Sequence, residues 1–170
     1  MAAAASPSPA PVVVRRASRL DVAGLASLKA EWAQRAEAPT DAEIDAFATV
    51  LGDWMERHAD GLVPMAAVAG DEIVGMGWMV VFERVPNLDD PRRLTADIQS
   101  VYVRPAYRGR GIAAEIVDEL CREADRRGVP RAIVSSSSRA ISLYARAGFT
   151  ASPLLLERTK QGDPGNPRTA

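Results

Sequence analysis

Cysteine and histidine are almost absent: the chain holds one of each, Cys121 and His58. A single cysteine excludes an intrachain disulfide, and the pair together leaves a Cys/His zinc cluster without ligands, so no metal is expected. A Ser-His-Asp hydrolase would have to rest on His58, and no G-x-S-x-G elbow accompanies it. His58 precedes Ala59-Asp60-Gly61, a helix-stop signal, and reads as a helix-end residue. Lysine is scarce too. Of 21 basic residues only Lys29 and Lys160 are lysine, and the arginines are spread along the chain. With the abundant alanine, that skew reflects a G+C-rich gene rather than one site. No apolar run approaches the roughly 18 residues that a membrane span needs. Residues 1–11, rich in Ala, Ser and Pro, lack the basic start and apolar centre of a signal peptide. The expectation is a cytoplasmic protein with no membrane partner. The 21 basic residues meet 22 acidic ones, a net charge of -1. Proteins that grip nucleic acid usually show a basic domain, so nucleic acid is not an expected partner either.

What is present fits one domain of 170 residues. Residues 1–11 and 159–170 read as disordered tails, the second broken by Gly162, Pro164, Gly165 and Pro167. Between them, 12–158 shows no linker and no repeat. Residues 12–16 are a first strand. Ser18 caps a helix expected over 19–37, with Leu20, Leu25, Leu28 and Trp32 at near-helical spacing, and Pro39 stops it. Thr40-Asp41-Ala42-Glu43 is a capping-box pattern opening a second helix. Residues 62–69 and 73–83 read as a hairpin, with Gly75 and Gly77 marking a bulge or a close backbone approach. After a polar loop, 96–104 alternates: Ile98, Ser100 and Tyr102 on one face, Gln99, Val101 and Val103 on the other. A third helix spans 111–127 with Ile112, Ile116, Val117 and Leu120 as its apolar stripe, Cys121 packed in it as a small hydrophobe, and Gly128 as its cap. A strand at 131–136, a short helix at 139–147 and a last strand through Leu156 complete the order β-α-α-β-β-β-α-β-α-β. This is a single-domain α/β fold with a mixed β-sheet flanked by helices.

The chemistry concentrates between strand 96–104 and the third helix. Val103-Arg104-Pro105-Ala106-Tyr107-Arg108-Gly109-Arg110-Gly111-Ile112-Ala113-Ala114 breaks a strand at proline, passes an Arg/Gly loop and enters a helix. Glycines let the backbone turn with its N–H groups exposed, and a helix N-terminus carries about half a positive charge. Together they make a phosphate cradle, to which Arg108 and Arg110 add charge. There is no G-x-x-x-x-G-K-[ST], so a P-loop is out. Gly109-x-Gly111-x-x-Ala114 meets the loose dinucleotide fingerprint, but Arg104-Pro105-Ala106-Tyr107-Arg108 intervenes where that fold runs almost directly from strand to glycine. The next strand also ends in Ser135 to Ser138 instead of a ribose-binding acid.

Val103 to Ala113 resembles the coenzyme A-binding segment of the GNAT family of N-acetyltransferases, V-x-P-x-x-[RQ]-x-x-G-x-[GA], with Arg108, Gly111 and Ala113 in the signature places. Ala140-Ile141-Ser142-Leu143-Tyr144-Ala145-Arg146-Ala147-Gly148-Phe149 is similar to the second hallmark, A-x-x-L-Y-x-x-x-G-F. The element order agrees over about 12–158. The resemblance implies an acetyl-CoA-dependent acyltransferase in which the backbone of Val101 and Val103, flanking Tyr102, pairs with the pantetheine arm. It places the pyrophosphate on the amides of Gly109, Arg110, Gly111, Ile112, Ala113 and Ala114, and makes Tyr144 the acid that protonates the leaving thiolate. A tyrosine, with a pKa near 10, suits a thiolate leaving group. Ser137 stands where many relatives carry an asparagine that bonds the pantetheine. No Glu stands on strand 96–104, so the general base of some relatives does not transfer. Candidate bases are Glu83, Asp97 and Glu31, or water. Trp32, Phe47, Trp54 and Trp78 are core residues or the lining of an acceptor pocket. The implied acceptor is a small-molecule amine. The alternatives are a protein or peptide amine, a non-catalytic acyl-CoA-binding module, and a nicotinamide-dinucleotide enzyme. Relatives often pair through the C-terminal part of the sheet, which makes a homodimer an expectation of the resemblance.

Overall fold

The computed structural model describes residues 11–156 and 158. Both expected tails lie outside them, save for Pro11. The first strand, β1 (Val12–Arg16), leads to Ser18, whose hydroxyl accepts from the Leu20 amide while Asp21 accepts from the Ser18 amide. This reciprocal cap holds a 3-10 turn, Arg19–Asp21, before α1 (Val22–Ala33) begins. The helix expected over 19–37 is thus shorter at both ends: the turn takes its first residues, and Gln34 stops it in a left-handed conformation, φ 47°. The Thr40–Glu43 capping box forms and opens α2 (Asp41–Arg57). His58 is the helix-end residue expected, its ring stacked on Trp54 and its Nδ1 2.8 Å from the Trp54 carbonyl oxygen.

The hairpin forms from β2 (Leu62–Ala69) and β3 (Glu72–Glu83), and β3 pairs with β4 (Leu94–Val103). The strands lie in chain order, antiparallel from β1 to β4. The crossover α3 (Ile112–Arg126) then brings β5 (Ala132–Val134) parallel to β4, and α4 (Ile141–Arg146) follows a 3-10 turn. The sheet therefore has five strands among the described residues, one fewer than expected. Residues 149–156 do not form the sixth. Proline 153 has no N–H to give a ladder, the Leu155 amide turns back to the Ser152 carbonyl at 3.5 Å, and Leu154, Leu155 and Leu156 stay on the surface.

Each face of the sheet has its own core. On one, Ile112, Ile116, Val117 and Leu120 of α3 pack on Val63, Met79, Ile98 and Val103. On the other, Leu25 and Leu28 of α1 and Leu51 of α2 pack on Met76 and Trp78. Full burial of each such side chain stabilises by about 1.5–3 kcal/mol. Gly77 is the close approach expected of it: a Cβ there would lie 2.3 Å from Ile116 Cγ2. Cys121 packs against the α3 core, and burial, with Asp118 and Asp125 nearby, raises its thiol above the ordinary cysteine pKa.

The alternation expected along β4 breaks. Met76 stands opposite Tyr102 but Trp78 opposite Gln99, so β4 carries one extra residue between these pairs. Ser100 absorbs it with φ 50°. A bulge of this kind reverses face parity. Ile98, Val101 and Val103 share the α3 face, whereas Tyr102 packs with the α1–α2 core. Gln99, opposite Trp78, belongs to that second face and not to the face of Val101 and Val103.

Candidate active site

The bulge sits where the sheet comes apart. β4 and β5 pair only over Ala96, Asp97 and Ile98 with Ala132, Ile133 and Val134. Beyond them β4 runs on to Val103 while β5 has ended, leaving a fork with one strand edge exposed. The Arg104 amide donates to the Val74 carbonyl of β3 at 2.9 Å. Alternation then turns the amide and carbonyl of Val103, and of Val101 two residues earlier, into the fork. Arg108 Nε donates to that Val103 carbonyl at 2.9 Å, and its guanidinium lies 5.6 Å from the centre of the Tyr102 ring. Arg108 thus clamps the loop to the strand.

Past β4, Pro105–Tyr107 makes a 3-10 turn, and Gly109 and Gly111 follow at φ 76° and 79°. That left-handed region favours glycine, and a Cβ at either position would meet nothing within 4 Å, so the space above them is open. Gly111 is the N-cap of α3 and offers no side chain to its first turn. The amides of Ile112, Ala113 and Ala114 precede the first intrahelical bond, Glu115 N–H to Gly111 carbonyl at 3.0 Å. A row of such donors at the positive end of a 15-residue helix suits an anion. Arg110 reaches over the Tyr107 ring at 5.6 Å. The chain thus offers an extended strand edge and, beside it, a phosphate cradle, which fits an amide-bearing arm ending in a diphosphate.

Tyr144 on α4 is buried, 7% exposed, in the cluster that holds Ile98, Val103 and Ile112. Its ring meets Phe149 edge-on at 5.6 Å. Ser137 is the N-cap of the 3-10 turn before α4, with no capping bond from its side chain.

The candidate bases separate. Glu83 stands opposite Leu94, six residues along β4 from Ser100, roughly 20 Å at the rise of a strand. That distance sets it apart from the fork. Asp97 lies three residues from Ser100 on the α1–α2 face, where Gln99 donates to it at 2.7 Å. Glu31 of α1 is engaged by Arg104, with Nη2 at 2.8 Å, and by the Tyr102 hydroxyl at 3.3 Å. Arg104 also pairs with Glu72, which accepts from the Tyr107 hydroxyl at 3.3 Å. This network ties the Pro105–Arg110 loop to α1. Burial first, then Glu31, raise the Tyr102 hydroxyl above its ordinary pKa.

Two site residues escaped sequence reasoning. Lys29 Nζ of α1 donates to Ser100 Oγ at 3.0 Å and lies 4.7 Å above the Trp32 ring. Nothing in the sequence pairs positions 71 apart. The one available signal was that Lys29 is one of two lysines in a chain that otherwise uses arginine. Lys29 and Trp32 also line a cavity of about 300 Å³ between α1 and α2, with Phe47 on its far wall. Trp78 is core, and Trp54 packs beside it and under His58. The aromatic group therefore divides between pocket and core. A second cavity of about 180 Å³, lined by Arg16, Val22, Met55 and Pro64, lies away from the fork.

The model of the acetyltransferase (GNAT) family matches residues 25–149. A glucosamine 6-phosphate N-acetyltransferase of Trypanosoma brucei brucei is 32% identical over 79 residues, 46% of this chain and 52% of that protein. The chain thus matches about half the length of that relative. A predicted acetyltransferase from Clostridium acetobutylicum, solved with acetyl-CoA, superimposes with a TM-score of 0.71 at 22% identity, covering 88% of this chain and 96% of that one. Glucosamine-6-phosphate N-acetyltransferase from Arabidopsis thaliana gives 0.71 at 17% identity, covering 90% and 99%. These two likenesses show the fold.

Proposed function

Because the chain belongs to the GNAT family of acetyltransferases, we propose that it transfers the acetyl group of acetyl-CoA to the primary amine of a small molecule. The observation that carries this reading is the fork. It presents the main chain of Val101 and Val103, beyond the last β5 partner, next to the uncapped amides of Ile112, Ala113 and Ala114. The pantetheine arm adds to β4 as a short strand would, and the diphosphate rests on the start of α3. The Val101 amide donates to the thioester oxygen as negative charge develops there, the kind of contact that contributes most in acyl transfer. The amine approaches from the α1–α2 face, past Ser100. Its nitrogen forms a bond to the thioester carbon as the C–S bond breaks. Tyr144, on the α3 face, gives its proton to the departing sulfur. Asp97 lies roughly 10 Å along the strand from the bulge, so it takes the amine's proton through intervening water.

The measurement is release of free thiol from acetyl-CoA in the presence of an amine panel. Turnover with a subset of amines is expected. CoA binding without turnover on any amine would instead favour a non-catalytic binding module. Tyr144→Phe is expected to lower turnover at least about tenfold, the low end for a general acid, with CoA affinity unchanged by calorimetry. Unchanged turnover would remove Tyr144 from that role.

A further inference from the structure

The cavity between α1 and α2 has a chemistry that no relative's name supplies. Its walls are mostly apolar: Trp32, Pro39, Ile44 and Phe47. Its polar members are Lys29, Arg35 and Glu43, and the last two approach each other to 3.8 Å. Lys29 is at the end nearest the reaction centre, because its ammonium also reaches Ser100 of the β4 bulge. At about 300 Å³ the cavity lies at the small end of ligand pockets.

Resting on the acetyltransferase reading, we propose that the acceptor is an α-amino acid with a large apolar or aromatic side chain. Its side chain fills the cavity against Trp32, Ile44 and Phe47. Its carboxylate pairs with Lys29. That pairing fixes the α-amine one bond from the carbon bearing the carboxylate, beside Ser100 and facing the thioester at Val101. A sugar would leave its hydroxyls against apolar walls, and a simple diamine would set a second cation beside Lys29. The transfer balances as follows: the α-ammonium loses two protons, nitrogen gains the acetyl carbon, the thiolate recovers one proton as CoA thiol, and one proton goes to solvent.

Two measurements test this. The first compares L-phenylalanine with phenethylamine, which has the same side chain and amine but no carboxylate, and with glucosamine 6-phosphate. The native protein is expected to favour phenylalanine in kcat/KM. Lys29→Met is expected to lower the phenylalanine-to-phenethylamine ratio by about tenfold or more, the size of a charge-assisted hydrogen bond, and Lys29→Arg to restore part of it. An unchanged ratio, or a preference for phenethylamine or glucosamine 6-phosphate, overturns the inference. The second measures binding of L-phenylalanine to the CoA-loaded native protein by calorimetry and by quenching of tryptophan fluorescence. Absence of binding overturns the inference whatever the enzyme turns over. Binding that Lys29→Met weakens supports it even without turnover, in which case only the catalytic reading falls.

Discussion

Gly77 shows how little room a single residue leaves in this sheet. A methyl group there would meet Ile116 Cγ2 at 2.3 Å, with Leu120 Cδ1 at 3.3 Å behind it, so α3 has to shift or Ile116 to leave its place. Gly77→Ala is therefore expected to destabilise by about 1–3 kcal/mol, the usual cost of overpacking, read as a lower urea midpoint with unchanged slope. Other residues act through conformation. Gly109 and Gly111 were legible because a loop that must bare its amides asks for glycine, and the φ values of 76° and 79° agree. Ser100 was not legible. Its φ of 50° is forced by the extra residue in β4, and nothing in a serine advertises a bulge. Lys29 acquires its meaning only through Ser100, so the two were invisible together.

The elements were legible where a local rule decides them. The Thr40 capping box, the hairpin at 62–83 and the apolar stripe of α3 each rest on residues a few positions apart. The failures came from competition between distant parts. The 149–156 segment reads as a strand, yet it forms none, and its three leucines remain exposed. The faces of β4 were misassigned because the register against β3 is set across the sheet. The start of α1 is fixed by a longer-range contact as well. Arg15 on β1 holds both oxygens of Asp21, at 2.7 and 2.8 Å, and Asp21 in turn accepts from the Ser18 amide at 2.7 Å. Arg15 first, with Ser18 assisting, lowers the Asp21 carboxyl to about 2, against about 3.9 in an unfolded chain. A carboxylate whose pKa falls on folding contributes stability above its unfolded value and loses it as pH drops through the folded one. The junction of β1 and α1 is therefore expected to weaken between about pH 4 and pH 2. Asp21→Asn should remove that part of the pH dependence and cost on the order of 2 kcal/mol at neutral pH, less whatever water screens at the half-exposed Arg15. Urea titrations of both proteins at pH 7, 4 and 2.5 measure the difference.

At the scale of the molecule, two cores on opposite faces hold one sheet whose β4 and β5 diverge. A ligand that spanned the strand edge and the start of α3, as proposed above for CoA, would bind the folded state alone. At a hundred times its dissociation constant such a ligand adds about 2.7 kcal/mol. For a chain of this size that raises the unfolding midpoint by roughly 5–10 °C. Scanning calorimetry with CoA is expected to show this shift, and with NAD in its place none. A shift with NAD alone would return the Gly109-x-Gly111-x-x-Ala114 loop to the dinucleotide class. The fork itself also answers a hazard common to sheet proteins. An exposed strand edge invites another chain to add to it, which is how aggregates begin. Here the free edge of β4 is five residues from Gln99 to Val103, with β5 seated just below it and the Arg108 clamp at its top. An edge this short offers another sheet little to pair with, which keeps that hazard small.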